Sequence, residues 1–255
     1  MTPSLIELLD SPKTLLLAHR GDSRVAPENT LPAFESALKL GVDLVELDYH
    51  QSADGVPVVF HDKELDRCTN ACALWGGEKV LLSSRAWSDL CQLDAGGWYG
   101  EQFAGTRLAT LEEALRLICP RAGCMIERKS GDAETLVALI DRLGVVDRCA
   151  VAAFDWSFLA RCRELSSSIV LEALGTERLT SQRLDAAMQF APRVIGWDNR
   201  HITAEGIGMV HRRRLKVWVW TVDDPARAAE LIAWGADGVI SNVPREIQPV
   251  VATSK

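Results

Sequence analysis

The stretch LLLAHRGDSRVAPENTLPAFESALKLG, residues 15–41, contains one complete strand–loop–helix unit. An apolar run ends at His19. A helical segment then follows a capping Asn or Thr, carries a proline in its first turn and stops at a glycine. About eight such alternations succeed one another along the chain. This rhythm predicts an α/β fold and favours a (β/α)8 TIM barrel. A doubly wound open sheet is the alternative, because the pattern does not show whether the sheet closes.

The predicted strands are short apolar runs separated by helical segments. They cover residues 15–19, 44–49, 123–127, 150–153, 169–174, 194–197, 216–221 and 238–240. No linker-like stretch divides the chain, so we expect a single domain over residues 1–255. At about residues 63–107 the alternation is interrupted, and we expect a small insertion after the second barrel unit. Long loops in compact domains tend to be functional.

Composition excludes several classes of protein. The chain has 255 residues, 47% of them hydrophobic, which suffices for a sizeable core. A net charge of −7 argues against nucleic acid as a partner. We find neither an export signal nor an apolar run long enough to cross a membrane, and the seven cysteines show no pairing pattern. We therefore expect a cytoplasmic protein without stable membrane insertion, in which the closely spaced Cys68 and Cys72 are not metal ligands.

Ionisable side chains end four successive apolar runs of the predicted barrel. Glu46 and Asp48 stand at positions i and i+2 of one strand and therefore project from the same face. Two adjacent carboxylates on an apolar strand are costly unless a cation neutralises them, and oxygen ligands suit Mg²⁺ or Ca²⁺. The other three runs end in His19 and Arg20, in His61 and Asp62, and in Glu127 and Lys129. Catalytic groups of a barrel lie where strands end, so these side chains form the predicted site.

Each of these residues also has a plainer interpretation. Glu46 and Asp48 could pair with Arg20 and Lys129 in a purely structural ion network. Tryptophans on late strands are more often core residues than ligand-stacking ones, which applies to Trp197, Trp218 and Trp220. The convergence of so many ionisable groups at one rim of the barrel favours the functional interpretation.

Five blocks carry a family resemblance between residues 18 and 244: AHRGDSRVAPENTLPAF, GVDLVELDYHQSADGVPVVFHD, IERK, VWVWTVDD and GADGVISNVP. Together, and in this order, they resemble the signature blocks of the glycerophosphodiester phosphodiesterase family. The resemblance implies a TIM barrel, one divalent cation, and hydrolysis of small glycerophosphodiesters to sn-glycerol 3-phosphate and an alcohol such as choline or ethanolamine. It also implies that the insertion caps the barrel mouth, as in relatives.

The same resemblance assigns roles to eight residues. It implies metal ligands at Glu46, Asp48 and Glu127, catalytic histidines at His19 and His61, phosphate contacts at Arg20 and Lys129, and an aromatic wall of the substrate pocket at Trp220. We expect the neighbouring glycerol hydroxyl to attack phosphorus and form a cyclic phosphate that water then opens. We assign His19 as the base and His61 as the acid, an assignment that the sequence leaves reversible.

The sequence departs from the family pattern at two places. Ser241 and Asn242 stand where many relatives have Thr and Asp, and Ala153 stands where Ser is common, so we expect effects on headgroup preference rather than on the reaction.

Two other functions stay open. A barrel that senses glycerophosphodiesters is one alternative, and a related metal-dependent enzyme acting on lysophospholipids is the other. The second would need an exposed patch from the insertion, whose apolar side chains include Leu74, Trp75, Trp98, Tyr99 and Phe103. The alcohol, the choice among Mg²⁺, Ca²⁺ and Mn²⁺, and the oligomeric state stay undetermined.

Overall fold

A closed barrel of eight parallel strands forms the centre of the computed structural model, which describes residues 2–253. The strands are β1 (Leu15–Ala18), β2 (Leu44–Gln51), β3 (Pro57–Val59), β4 (Gly123–Arg128), β5 (Cys149–Ala153), β6 (Val170–Gly175), β7 (Val194–Asp198), β8 (Lys216–Trp220) and β9 (Gly238–Ser241). All but β3 belong to the barrel. The first strand pairs in parallel with both β9 and β2, which closes the sheet. The predicted TIM barrel is therefore confirmed over the open-sheet alternative.

Helices precede, connect and follow the barrel strands. Most of them cover the outer surface of the barrel, but the first contributes to its interior apolar cluster and two short ones belong to the insertion. They are α1 (Leu5–Asp10), α2 (Leu31–Leu40), α3 (Ala71–Trp75), α4 (Trp87–Leu90), α5 (Leu111–Ile118), α6 (Ala133–Leu143), α7 (Trp156–Leu165), α8 (Ser181–Ala187), α9 (Ala204–Arg212), α10 (Pro225–Ala233) and α11 (Pro244–Thr253). The helix α2 has Pro in its first turn and ends at Gly41 with a left-handed φ of 78°, as its sequence predicts. Within residues 2–253, no helix is both long and apolar enough to span a bilayer.

Two hydrophobic layers hold the barrel together. The larger one lies between the sheet and the surrounding helices and includes Trp197. A second cluster fills the barrel interior and includes Leu17, Met125 and Trp218. Trp197 and Trp218 are fully buried, as the plainer interpretation of these residues expects, whereas Trp220 is only half-buried. The polar side chains of the interior therefore lie above a layer of packed apolar side chains.

After the second barrel strand, the chain turns back and forms the antiparallel strand β3 before the insertion begins. Strand β3 pairs antiparallel with the upper half of β2, Tyr49 lying opposite Val59. Strand β3 therefore leads the chain back to the rim of the barrel. His61 follows this antiparallel strand and not a parallel strand of the barrel. The insertion then runs to α5, the helix that completes the second unit, and has its own apolar cluster around Leu65, Leu90 and Leu93. Its position in a βα loop places it beside the functional rim of the barrel.

Candidate active site

Three carboxylates converge at the carboxyl ends of two neighbouring strands. Glu46 and Asp48 come from β2, and Glu127 lies directly opposite Asp48 on β4. All three are buried, and one oxygen of each lies within 4.8 Å of the others, a spacing that a single divalent cation can bridge. Glu46 Oε1 is buried without a hydrogen-bond partner. A buried, unpartnered carboxylate oxygen is costly, so the donor set fits a hard cation such as Mg²⁺ or Ca²⁺.

Two cations flank this carboxylate cluster. Arg20 Nε lies 3.3 Å from Asp48 Oδ2, and Lys129 Nζ lies 3.1 Å from Asp48 Oδ1 while also contacting Glu127. Asn29 holds Asp48 from the other side: its Nδ2 donates to Asp48 Oδ2 at 2.8 Å, and its Oδ1 accepts the Asp48 N–H at 3.1 Å. The sequence identifies Asn29 only as a possible helix cap. In the structure, Asn29 fixes the orientation of the Asp48 carboxylate. No pattern in the sequence indicates this contact.

The HRG segment wraps the end of β1 around the cluster. Arg20 and Gly21 both have left-handed φ values, 57° and 81°. A Cβ at Gly21 would lie 2.7 Å from the carbonyl carbon of Ala33, so only glycine fits there. The turn aims the Arg20 N–H at Glu46 Oε2, 2.6 Å away. The turn at Gly21 thus brings a backbone donor to a candidate metal ligand.

His19 is oriented by a side chain from the opposite end of the chain. Its Nδ1 lies 2.6 Å from Asn242 Oδ1, and Asn242 Nδ2 donates to Asp223 Oδ2 at 2.7 Å. Because the amide nitrogen is committed to Asp223, the amide oxygen faces His19 and accepts from Nδ1–H. The Nε2 atom therefore carries no proton in the neutral ring and points to the cluster, 3.9 Å from Glu46 Oε2.

His61 is oriented by a carboxylate instead of an amide. Its Nδ1 lies 2.6 Å from Asp62 Oδ1, and Arg67 Nε donates to Asp62 Oδ2 at 2.6 Å. Arg67 also pairs with Glu28, which in turn accepts from Arg20 at 2.8 Å. A chain of ion pairs thus links the insertion to the first barrel loop. Glu28 and Arg67 were not predicted as site residues, because their contact joins segments with no shared sequence pattern.

All eight predicted site residues come together at one cavity of about 220 Å³. Seven of them line it: His19, Arg20, Glu46, His61, Glu127, Lys129 and Trp220. The eighth, Asp48, is fully buried and contacts two of the lining residues.

A model of the glycerophosphoryl diester phosphodiesterase family matches residues 19–246. The chain belongs to this family. It is similar to the glycerophosphodiester phosphodiesterase of Caldanaerobacter subterraneus subsp. tengcongensis, 31% identical over 242 residues that cover 92% of this chain and 96% of the relative. It is likewise similar to the glycerophosphodiester phosphodiesterase of Bacillus subtilis (strain 168), 30% identical over 260 residues that cover 93% of this chain and 86% of the relative.

A solved structure agrees with this assignment. It is an Oleispira antarctica phosphodiesterase in complex with the product sn-glycerol-3-phosphate, 27% identical to this chain, with a TM-score of 0.85 and coverage of 94% of this chain and 98% of that one. The resemblance found in the sequence is confirmed, and the chain is a hydrolase of the phosphodiesterase class.

In this phosphodiesterase the three carboxyl groups of the cluster differ in their pKa values. Burial and the neighbouring Asp48 raise the pKa of Glu46 to about 8 and that of Glu127 to about 7. Burial also opposes ionisation of Asp48, but Lys129 and Arg20 outweigh it and lower the pKa of that carboxyl. Without a bound cation, Asp48 is therefore ionised near neutral pH, whereas the carboxyls of Glu46 and Glu127 hold protons there.

We expect a divalent cation to stabilise the enzyme more at pH 8 than at pH 5. The raised pKa values of Glu46 and Glu127 mean that the metal-free fold binds protons that the unfolded chain releases near pH 4.5. Its free energy of unfolding therefore falls as the pH rises from about 4.5 to about 7 for Glu127 and to about 8 for Glu46, by up to about 1.4 kcal/mol per pH unit for each group. Asp48, with a lowered pKa, has ionised below this window and does not oppose the trend.

A bound cation replaces these protons, so its stabilisation grows over the same pH range. The measurement is the thermal unfolding midpoint with and without Mg²⁺, Ca²⁺ or Mn²⁺ at both pH values. For a chain of this size, each kcal/mol corresponds to about 2 to 4 °C. Equal shifts at pH 5 and pH 8 would contradict the prediction.

Glu172 on β6 is a buried carboxyl group that is not among the predicted site residues. Neither of its carboxyl oxygens has a hydrogen-bond partner among the described residues, and a Cβ at Gly196 would lie 2.1 Å from its Oε1. Burial, with smaller contributions from Glu127 and Glu46, raises its pKa far above the usual range. A single acidic residue inside the apolar run IVLEALG was the available signal. Its neutral form avoids adding another negative charge to the barrel interior beside the cluster.

One of the two departures from the family pattern falls on the residues that support His19. Ser241 Oγ donates to Asp223 Oδ1 at 2.9 Å, and Asn242 joins the same carboxylate to His19. Asn242 contacts the imidazole directly. An effect on headgroup preference rather than on the reaction stays a prediction. Ala153 is fully buried at the end of β5, next to the half-exposed Phe154 that packs edge-to-face on Trp220 at 5.7 Å.

Proposed function

We propose that this phosphodiesterase hydrolyses glycerophosphodiesters, such as glycerophosphocholine and glycerophosphoethanolamine, to sn-glycerol 3-phosphate and an alcohol. The observation that carries the proposal is the buried triad of Glu46, Asp48 and Glu127 with His19 and His61 at the same cavity. The product named in the Oleispira antarctica structure supports the same substrate class. The cytoplasmic location, the lack of a nucleic-acid partner and the single-domain organisation stay predictions from the sequence.

The triad would hold one divalent cation, Mg²⁺, Ca²⁺ or Mn²⁺, through carboxylate oxygens. Such a cation supplies a fixed positive charge for the phosphoryl oxygens. Arg20 and Lys129 line the cavity beside it and add two donors that can contact the same oxygens. Both side chains are already held by Asp48, at 3.3 Å and 3.1 Å, so they need little reorganisation when substrate binds.

The two histidines would divide the proton transfers. His19 Nε2, unprotonated and facing the cavity, takes the proton of the glycerol hydroxyl next to the phosphate as that oxygen attacks phosphorus. The bond from phosphorus to the alcohol oxygen breaks, and His61 donates a proton to the leaving oxygen. Water then opens the cyclic phosphate with the two roles exchanged, which restores both histidines.

The hydrogen bonds of the two rings support this division. Burial lowers the pKa of both histidines, which favours their neutral forms. The carboxylate of Asp62 at His61 Nδ1 works against that lowering and stabilises a protonated ring, so His61 is suited to be the acid. Nδ1 of His19 faces the neutral amide of Asn242, and this ring is suited to be the base.

Release of sn-glycerol 3-phosphate from glycerophosphocholine and glycerophosphoethanolamine by the purified protein tests the proposal. We expect turnover with a divalent cation and none with excess chelator. A 2-deoxy analogue, which lacks the attacking hydroxyl, should bind and not turn over. Hydrolysis of that analogue at a normal rate would exclude the cyclic route, and no product from either diester with any of the three cations would exclude the proposed activity.

The lipid alternative receives little support from the insertion. Of its five candidate aromatic and aliphatic side chains, only Leu74 and Trp98 are largely exposed, at 52% and 42%. Tyr99 packs edge-to-face against both Trp98 and Phe103 at 5.6 Å. Because most of this apolar surface packs within the insertion, we retain small diesters as substrates. Sedimentation of the protein with liposomes would revive the lipid alternative.

A further inference from the structure

The amide side chain that supports His19 can face the ring in two ways. Asn242 carries an oxygen, which accepts a hydrogen bond, and a nitrogen, which donates one. With the oxygen at His19 Nδ1, as in this structure, the neutral ring has its proton on Nδ1 and Nε2 is free to act as a base. With the nitrogen there, Nδ1 must accept, and the ring proton moves to Nε2. The orientation of one amide thus decides whether His19 can take a proton from the substrate.

A departure from the family pattern creates this dependence. In many relatives Asp occupies the position of Asn242. A carboxylate presents an acceptor in either orientation, so it favours the Nδ1–H form of the histidine without further support. An amide favours that form in only one of its two orientations. In this chain the state of His19 therefore depends on what holds the amide of Asn242.

Asp223 holds this amide from the loop that follows β8. Its Oδ2 accepts a hydrogen bond from Asn242 Nδ2 at 2.7 Å. A reversed amide would place its oxygen against this carboxylate oxygen, so that two acceptors would face each other. On the opposite side, Ser23 Oγ donates to the amide oxygen of Asn242 at 3.4 Å. The contact with Asp223 is the stronger one, because it is shorter and its acceptor is a carboxylate.

The carboxylate of Asp223 is itself held by two further donors. Its Oδ1 accepts the backbone N–H of Asn242 at 2.8 Å and the hydroxyl of Ser241 at 2.9 Å. The Ser241 hydroxyl oxygen accepts the N–H of Val243 at 3.0 Å, which directs its proton to Asp223. Any side chain that replaces Asp223 must therefore present an acceptor to these two donors.

We propose that Asp223 is a positioning residue that sets the tautomer of His19 through the amide of Asn242. The inference rests on the proposed function, in which His19 is the base, and deepens it. In Asp223→Asn, the new amide keeps its oxygen at the two donors and turns its nitrogen to Asn242. The Asn242 amide then reverses, presents its nitrogen to His19 Nδ1, and moves the ring proton to Nε2.

Nitrogen-15 spectra of protein labelled in its histidine rings measure the tautomer directly. The spectra are recorded with Mg²⁺ at pH 8, where the ring is neutral because burial lowers the pKa of His19. The signals of His19 are those that disappear in His19→Gln. We expect the proton on Nδ1 in the wild type and on Nε2 in Asp223→Asn. A proton that stays on Nδ1 in this variant would overturn the proposal.

Steady-state kinetics with glycerophosphoethanolamine measure the consequence for turnover. We expect Asp223→Asn to lower kcat about 10-fold, the factor that corresponds to one hydrogen bond favouring the wrong orientation, with little change in KM. Asp224→Asn is the matched control. The neighbouring Asp224 caps α10 by accepting the Ala226 N–H at 2.9 Å, and asparagine caps equally well, so kcat and the tautomer should stay at their wild-type state. A reversed tautomer with an unchanged kcat would contradict the role assigned to Asp223.

The double variant Asp223→Asn/Asn242→Asp exchanges the two side chains. The carboxylate then accepts from His19 Nδ1 and from the amide behind it, so every donor again has an acceptor. We expect the Nδ1–H tautomer and most of the wild-type kcat to return. A restored tautomer without restored turnover would overturn the proposal. A wild type that hydrolyses no diester would reject the proposed function, whereas the tautomer in Asp223→Asn would still decide the role of Asp223.

Discussion

Glu46→Gln is expected to lower kcat/KM for glycerophosphodiesters by about 10³-fold or more. The change removes one of three carboxylates that fit a cation, and loss of about 4 kcal/mol of charge stabilisation in the transition state corresponds to that factor. The fold should survive, because a glutamine oxygen can still accept the Arg20 N–H that Glu46 Oε2 accepts at 2.6 Å. Steady-state kinetics over a range of cation concentrations measure the loss.

The same variant separates a metal site from a structural ion network. With the pKa of Glu46 raised to about 8, glutamine resembles the protonated form that the metal-free fold already contains. We therefore expect the metal-free thermal midpoint to stay equal or rise, and the cation-induced increase to disappear. Chelator added to the wild type should reproduce the kinetic loss. A variant that keeps its activity but unfolds more easily would favour the ion network of Glu46, Asp48, Arg20 and Lys129.

His61→Ala is expected to lower kcat for glycerophosphoethanolamine by about 10²- to 10⁴-fold, the usual contribution of a general acid. The alkoxide of ethanolamine is a poor leaving group and needs a proton, which we propose that His61 supplies. A p-nitrophenyl diester of glycerol phosphate has a leaving group that departs without a proton. The variant should therefore retain most of its kcat on that substrate.

His19→Ala should behave differently, because removal of the attacking proton is needed for either leaving group. We expect a comparable loss on both substrates. His211→Gln is the control, since this histidine lies on α9, pairs with Asp237 and does not line the active-site cavity. If the p-nitrophenyl substrate rescues His19→Ala and not His61→Ala, the acid and base assignments are exchanged.

The local parts of this enzyme could be predicted because they depend on short-range periodicity. Apolar runs, capping residues and helix-stopping glycines such as Gly41 identified the strands and helices that form the barrel. The i, i+2 spacing of Glu46 and Asp48 predicted two carboxylates on one face, since alternate residues of a strand share a face whatever the rest of the fold does. The positions of ionisable residues after apolar runs likewise predicted the rim, because in a barrel all parallel strands end on the same side.

The remaining features depend on which distant segments pack together, and no local pattern encodes that. Pairing of β1 with both β9 and β2 closed the barrel. The return of β3 brought His61 to the rim, and Asn242 reached His19 across 223 positions of sequence. The ion pair between Glu28 and Arg67 forms only because the insertion folds over the first barrel loop. Glu172 is buried only because Gly196, which has no side chain, leaves space for its carboxyl group. Contacts, burial and pKa values arise from the assembled packing, so the orientation of each histidine and the cavity at which the predicted site residues meet came from the tertiary structure.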